Sequence, residues 1–138
     1  MSGRLAGRHA LLTGAGGGIG LAVADAYLRE GARCTLVDLA REPNAAVRKL
    51  CASQSALCHY VAADITKSAD IAAMMASART RFGTIDLLFN NAAVFDLAPL
   101  LQSDESMYER LFAVNVKGLF FVMQAVLARW SKPAPTVR

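Results

Sequence analysis

The glycine-rich segment TGAGGGIG, residues 13–20, is the most informative part of this sequence for its fold. The apolar run HALLT, residues 9–13, leads into it, and apolar residues at helical spacing follow over residues 20–30. This order predicts a buried strand, a tight turn and a helix. Such a turn directs free backbone N–H groups and the positive end of the helix toward one point, so it is suited to bind an anion such as a phosphate.

The glycine spacing in this turn is G-x-x-x-G-x-G, formed by Gly14, Gly18 and Gly20. The dinucleotide fingerprint G-x-G-x-x-G does not match it at any offset. The absence of side chains still allows a ligand to approach the backbone closely. The alternative is that the glycines only turn the chain from strand to helix, but the strand–turn–helix context favours nucleotide binding.

Strand and helix patterns alternate along the rest of the chain. Crossover helices require parallel strands, so the predicted architecture is α/β with a doubly wound parallel sheet, truncated after the fourth strand and the long helix that follows. Residues 1–130 form this one domain, and residues 131–138 form an irregular tail. After the first helix we predict a strand at 33–38, a helix at 43–53, a strand at 57–62, a helix at 68–82 with Ser68 as N-cap, a strand at 85–89 and a helix at 106–129.

Polar residues follow three of the predicted strands, at the carboxyl edge where such sheets bind ligands. Asp38 ends the second strand, at the spacing from Gly20 where an acidic residue accepts hydrogen bonds from an adenosine ribose. A further phosphate on that ribose would be repelled, which favours NAD. The alternative is an ordinary solvated aspartate. Asp64-Ile65 follows the third strand, and Asn90-Asn91-Ala92-Ala93 follows the fourth.

Five motifs in this order resemble those of the short-chain dehydrogenase/reductase family, up to about Trp130: TGAGGGIG, Asp38, Asp64-Ile65, NNAA and Asn115-Val116-Lys117-Gly118. The resemblance implies a Rossmann fold and an oxidoreductase that transfers hydride to or from NAD. Residues 90–126, which begin NNAAVFDLAP, resemble the sorbitol (L-iditol) dehydrogenase branch more narrowly. The implied substrate is a polyol or a related secondary alcohol.

The resemblance also assigns roles to individual residues. It implies that Gly14, Gly18, Ile19 and Gly20 cradle the pyrophosphate, that Asp38 selects NAD, that Asp64 and Ile65 contact adenine, and that Asn91 and Ala92 belong to the cofactor site. The family pattern is NNAG, so Ala93 is a departure, which we do not expect to disable binding. Asn115 matches a catalytic-site asparagine that bends its helix and holds a water in a proton relay. Its other reading is a buried amide that must find partners.

The family's acid/base residues are a tyrosine with a lysine four residues later, together with a serine. None of Tyr27, Tyr60 and Tyr108 has a lysine at that spacing, and the only serine after Asn115 is Ser131. We therefore expect this chain alone to have no dehydrogenase activity. The alternatives are a non-catalytic NAD-binding module and a non-functional fragment.

Composition excludes several other classes of protein. Hydrophobic residues make up 54% of the chain, which excludes disorder, and the net charge of +4 comes from scattered arginines, so no nucleic-acid partner is expected. The three cysteines lack metal-site spacing, so we expect no metal and read them as reduced thiols. The most apolar stretch, residues 118–128, is too short to cross a bilayer, and no signal-type segment precedes the glycine turn. A cytoplasmic protein with no membrane partner is predicted.

Two surfaces are expected to lack their usual cover, namely the edge of the fourth strand and the apolar long helix. In the family, the helix that carries Asn115 packs against its copy in a neighbouring subunit. The resemblance therefore implies a homo-oligomer through this helix. The other partners it implies are NAD and a small-molecule alcohol or ketone.

Overall fold

The computed structural model describes residues 3–130, and the predicted tail at 131–138 lies outside them. Four strands form one parallel sheet in the order β3-β2-β1-β4. They are β1 (His9–Thr13), β2 (Arg33–Asp38), β3 (Cys58–Ala62) and β4 (Leu87–Asn90). The chain order reverses between β1 and β4, so the doubly wound parallel sheet is confirmed and its switch point lies beside the glycine turn.

Helices cover both faces of this sheet. They are α1 (Gly18–Arg29), α2 (Ala45–Ser53), α3 (Ser68–Phe82), α4 (Glu105–Phe112) and α5 (Leu119–Trp130). Side chains alternate along β1, so Ala10 and Leu12 pack with α1 and α2, whereas Leu11 packs with α3 and α5. Two buried cores result, one on each side of the sheet.

The cap of α3 and the start of α2 differ from the predicted ones. Helix α3 has Lys67 at its N-cap position with no side-chain hydrogen bond, so Ser68 is not the cap. The turn that precedes this helix, in which Lys67 N–H donates to the Asp64 carbonyl at 3.0 Å, brings Ser68 inside the first turn. Helix α2 is capped by Asn44, whose side chain accepts a hydrogen bond from Val47 N–H, and therefore begins after Pro43.

The prediction of three reduced cysteines is wrong for two of them. Cys51 and Cys58 form a disulfide, with their Cα atoms 5.0 Å apart, while Cys34 is free and buried. The short connection from the end of α2 to β3 folds back on itself and brings the two thiols together. Sequence spacing did not reveal this contact, because it depends on how the connection turns. Burial raises the pKa of the Cys34 thiol to about 12.

The predicted long helix is continuous but not uniform. Between α4 and α5, residues Ala113–Gly118 form a π-helical segment that contains Asn115. The whole stretch Glu105–Trp130, called here the long helix, has 26 residues and an apolar 18-residue window with a mean hydropathy of 1.8, of which 17% is buried. The apolar stretch at residues 118–128 is only part of this helix, so the expectation that it is too short to cross a bilayer is not supported. By length and composition the long helix could cross a membrane, which is weak evidence because core helices of soluble proteins pass the same test.

Candidate functional site

A cavity of about 300 Å³ opens at the carboxyl edge of the sheet, next to the switch point between β1 and β4. It brings together six of the residues that the sequence singled out: Gly14, Asp38, Asp64, Ile65, Asn91 and Ala92. Gly18, Ile19, Gly20 and Asn115 do not line it. The first three lie in the opening turn of α1 beside the cavity, and Ile19 is 71% exposed.

Glycines in residues 13–20, the glycine loop, serve two different purposes. A Cβ on Gly20 would lie 2.3 Å from the Gly14 carbonyl oxygen, and one on Gly14, whose φ is +65°, would lie 2.8 Å from the Ala92 Cα. These two glycines therefore allow the loop to pack against itself and against the segment after β4. A Cβ on Gly17 or Gly18 would meet no atom within 4 Å. That side of the loop is open to a ligand.

Both carboxylate oxygens of Asp38 accept backbone hydrogen bonds, and one of these bonds comes from the glycine loop. Its Oδ2 accepts a hydrogen bond from Gly16 N–H at 2.6 Å, and its Oδ1 accepts one from Leu39 N–H at 2.7 Å. The side chain is half-buried at the cavity wall. Its negative charge lies at the end of β2, where it would repel a phosphate group placed beside it.

Asp64 and Ile65 lie side by side but face different surroundings. The carboxylate of Asp64 accepts hydrogen bonds from the hydroxyl and the N–H of Thr66, at 2.6 and 3.0 Å. These bonds, with the nearby charge of Lys67, hold the pKa of Asp64 below its usual value. The Ile65 side chain is only 7% exposed and packs against Gly118, in the π-helical segment. Ile65 thus joins the cavity to the core beneath it.

Thr13 is a site residue that the sequence analysis missed. Its hydroxyl oxygen accepts hydrogen bonds from the N–H groups of Asn91 and Ala92, at 3.1 and 3.0 Å, and donates to Asn90 Oδ1 at 3.3 Å. Asn91 Nδ2 in turn donates to the Gly14 carbonyl. The last residue of β1 therefore fixes the segment after β4 against the glycine loop. A buried hydroxyl at the end of a strand was the available signal.

Asn44 and Tyr60 were also missed, and both hold the connection between β2 and α2. Asn44 Nδ2 donates a hydrogen bond to the Gly16 carbonyl, and its Oδ1 caps α2. The Tyr60 hydroxyl donates to the Ala40 carbonyl. Burial, with the charges of Asp38 and Glu42, raises the Tyr60 pKa. An asparagine just before an amphipathic run is the usual N-cap signal, and it was available in the sequence.

The side chain of Asn115 is engaged by the loop after β4. Its Oδ1 accepts from Val94 N–H and its Nδ2 donates to the Val94 carbonyl, both at 2.8 Å. The amide of Asn115 is half-buried and has the hydrogen-bond partners that its other reading requires. A water-holding role stays a prediction. The observed contacts position the Val94 loop beside the cavity.

Comparison with known proteins defines the class to which this arrangement belongs. The family model described as short chain dehydrogenase matches residues 8–135. The chain therefore belongs to the short chain dehydrogenase family. A sorbitol dehydrogenase from Cereibacter sphaeroides is 46% identical over 123 residues, which are 89% of this chain and 47% of that protein. A galactitol 2-dehydrogenase from Agrobacterium fabrum is 42% identical over 125 residues, with the same two coverages.

Solved structures agree with this assignment. A 3-ketoacyl-(acyl-carrier-protein) reductase from Brucella melitensis complexed with NADH has a TM-score of 0.82 at 30% identity, over 90% of this chain and 50% of that one. A glucose/ribitol dehydrogenase-type member of the family from the same organism has a TM-score of 0.83 at 30% identity, over 93% of this chain and 54% of that one. The chain spans about half the length of the curated relatives it matches.

Proposed function

We propose that this chain binds NAD(H) at the carboxyl edge of its sheet, as the nucleotide-binding part of an oxidoreductase that acts on a polyol or a related secondary alcohol. The observation that carries the proposal is the hydrogen bond between the glycine loop and the Asp38 carboxylate at one wall of the cavity. NAD, when bound, supplies the nicotinamide ring that accepts or returns a hydride. The residues of this chain bind and orient it.

The glycine loop fits a pyrophosphate. Gly17 and Gly18 leave open space above the backbone, and the N-cap position of α1 has no side-chain hydrogen bond, so no side chain occupies the helix start. Backbone N–H groups at a helix N-terminus favour an anion. We assign Gly14, Gly18, Ile19 and Gly20 to the pyrophosphate in this proposal.

The remaining site residues would complete the cofactor site. Asp38 would accept hydrogen bonds from the adenosine ribose, and Asp64 with Ile65 would bound the adenine. Asn91 and Ala92, which Thr13 holds in place, would line the opposite wall. Asn115 would act as a positioning residue through Val94, since its side chain already contacts that loop.

The test of this assignment is the preference for NADH over NADPH. Replacing Asp38→Asn removes the charge that repels the additional phosphate but keeps a group that accepts a hydrogen bond. We expect the ratio of the NADPH affinity to the NADH affinity to rise about tenfold in the variant, which corresponds to roughly 1.4 kcal/mol. Fluorescence titration with both nucleotides measures the ratio.

A matched control is Asp25→Asn, which removes an equal charge about two turns into α1, beyond the loop. This variant should keep the wild-type preference. If neither nucleotide binds the wild-type protein, the proposed function is wrong. If Asp38→Asn and Asp25→Asn shift the ratio equally, the effect is general charge and Asp38 does not select the cofactor.

The substrate class rests on resemblance and on the relatives named for sorbitol and galactitol. A non-catalytic NAD-binding module is the second candidate. The two differ in one property: the module binds NADH without transferring its hydride to a ketose. We propose that the 138 residues alone bind NADH without turnover.

We also propose self-association through the long helix. Phe112, Val116 and Phe120 recur every fourth residue and are 47%, 53% and 51% exposed, so they form an apolar stripe. Apolar stripes of this kind are typical of surfaces that pack against another helix. A second copy of the same protein is the partner that the family resemblance implies.

A further inference from the structure

Gly16 is held on both sides by side chains from the connection that follows β2. Its N–H donates to Asp38 Oδ2 at 2.6 Å, and its carbonyl accepts from Asn44 Nδ2. The peptide group that contains the Gly16 carbonyl joins Gly16 to Gly17, and Gly17 and Gly18 form the open part of the glycine loop. The orientation of the loop's N–H groups therefore depends on Asp38 at one end and on Asn44 at the other.

Asn44 does two separable things with one side chain. Its Oδ1 accepts from Val47 N–H at 3.0 Å, which caps α2, and its Nδ2 reaches back to the Gly16 carbonyl. Val47 is fully buried against the sheet, so α2 is a fixed support. The amide of Asn44 thus ties the glycine loop to a helix that otherwise has no part in the site.

We propose that Asn44 is a positioning residue for the dinucleotide: it orients the Gly16–Gly18 backbone so that the N–H groups point at the pyrophosphate. This role rests on the proposed function. A free Gly16 carbonyl would let the loop rotate, and a carbonyl turned toward the pyrophosphate would repel it. Asn44 prevents this by holding that carbonyl toward α2.

The test separates the capping of α2 by Asn44 from the hydrogen bond that Asn44 donates to the Gly16 carbonyl. Asn44→Ser keeps an oxygen that caps α2 but is too short to reach Gly16, whereas Asn44→Ala removes both functions. Ser53→Ala is the matched control, because it removes a hydrogen bond at the far end of α2, from the Ser53 hydroxyl to the Leu50 carbonyl. Each variant is made in the full protein that carries this sequence, and the urea midpoint is measured alongside binding.

We expect Asn44→Ser to weaken the binding of NADH and of ADP-ribose by about 3- to 10-fold, the effect of losing one hydrogen bond. Adenosine, which lacks the pyrophosphate, should bind as it does to the wild-type protein, and the urea midpoint should fall less than it does for Asn44→Ala, because the cap of α2 is kept. Asn44→Ala should lower both the affinity and the midpoint. Ser53→Ala should leave both nucleotide affinities unchanged.

Three outcomes would overturn the role of Asn44. The first is an Asn44→Ser variant that binds NADH as tightly as the wild-type protein. The second is an equal loss of affinity for adenosine, which would mean general damage to the site. The third is a wild-type protein that binds no NADH, which would remove the proposed function as well and is seen before any variant is made.

Discussion

The two ends of the cavity are built in different ways. At the glycine loop, the backbone groups of Ala15 and Gly16 are bonded to Val37, Asp38 and Asn44, all of them from β2 or just after it. At the opposite wall, the loop after β4 exposes large apolar side chains, with Phe95 87% and Leu101 98% exposed. The first region is complete within the residues that the structure describes. The second presents surface that is typical of contact with further protein.

The two regions differ in what holds their backbone in place. Side chains from the connection after β2 hold the backbone of the glycine loop, so the fold fixes the shape of this loop. The wall after β4 is fixed to the glycine loop at few points, namely by the Thr13 hydroxyl and by the Asn91 side chain, which donates to the Gly14 carbonyl. Asn115 holds Val94 of this wall to the long helix instead. Changes at the junction of the two regions should therefore cost more than changes on either exposed side.

The largest expected effect is at Gly20, where a Cβ would meet the Gly14 carbonyl oxygen at 2.3 Å. We expect Gly20→Ala to lower the free energy of unfolding by about 3 kcal/mol, because the loop must move to relieve this overlap. Gly17→Ala is the control, since its Cβ meets nothing and its φ of −177° suits any residue. It should cost less than about 1 kcal/mol. Urea unfolding measures both, and equal costs would show that the close contact is not what requires glycine.

A smaller effect is expected at Thr13, which joins the two regions. Thr13→Val keeps the shape but leaves the N–H groups of Asn91 and Ala92 without their acceptor. The expected loss is about 2 kcal/mol in the free energy of unfolding, with weaker NADH binding. Thr13→Ser retains the hydroxyl and should restore most of both. A valine variant with unchanged stability would mean that the two walls are held together by other contacts.

The smallest effect concerns pH and His9, whose side chain joins β1 to β2 and to the connection between α3 and β4. The Gly83 carbonyl only accepts, so Nδ1 donates to it at 3.1 Å, and in the neutral ring Nε2 accepts from the Thr35 hydroxyl at 2.9 Å. Burial, with the charge of Arg33, lowers the pKa of His9 below its ordinary 6.5. The unfolded chain therefore binds more protons as the pH falls below 6.5, so stability is full above that pH and is lost below it.

Urea midpoints measured from about pH 7.5 to about pH 5.5 should fall with pH for this reason. The ring resonances of His9, followed by NMR in the folded protein, should titrate below 6.5. Burial also lowers the pKa of His59, so the variant His59→Gln separates its contribution from that of His9. This variant should keep most of the dependence of the urea midpoint on pH. A His9 titration above 6.5 would contradict this account.

Sequence reasoning was most accurate where one local pattern carries the answer. The strand at Arg33–Asp38 and the helix at Ser68–Phe82 have the predicted bounds, because a short buried run and helical spacing are local properties. It failed for the Cys51–Cys58 disulfide, because that contact depends on how the connection between α2 and β3 turns. It failed for Thr13, because the partners of its hydroxyl lie far away along the chain. Asn44 falls between the two cases, since its capping role was readable and its bond to Gly16 was not.

Hydrophobic periodicity and the glycine spacing were sufficient to predict a parallel, doubly wound sheet with a glycine-rich turn at its carboxyl edge. Both depend on backbone geometry over a few residues, which the local sequence controls. Only the folded chain decided that the Asp38 and Asn44 side chains would hold Gly16 from its two sides, and that Asn115 would bond to Val94. Those contacts join residues that lie far apart along the chain, and packing of the sheet against its helices is what brings them within hydrogen-bonding distance.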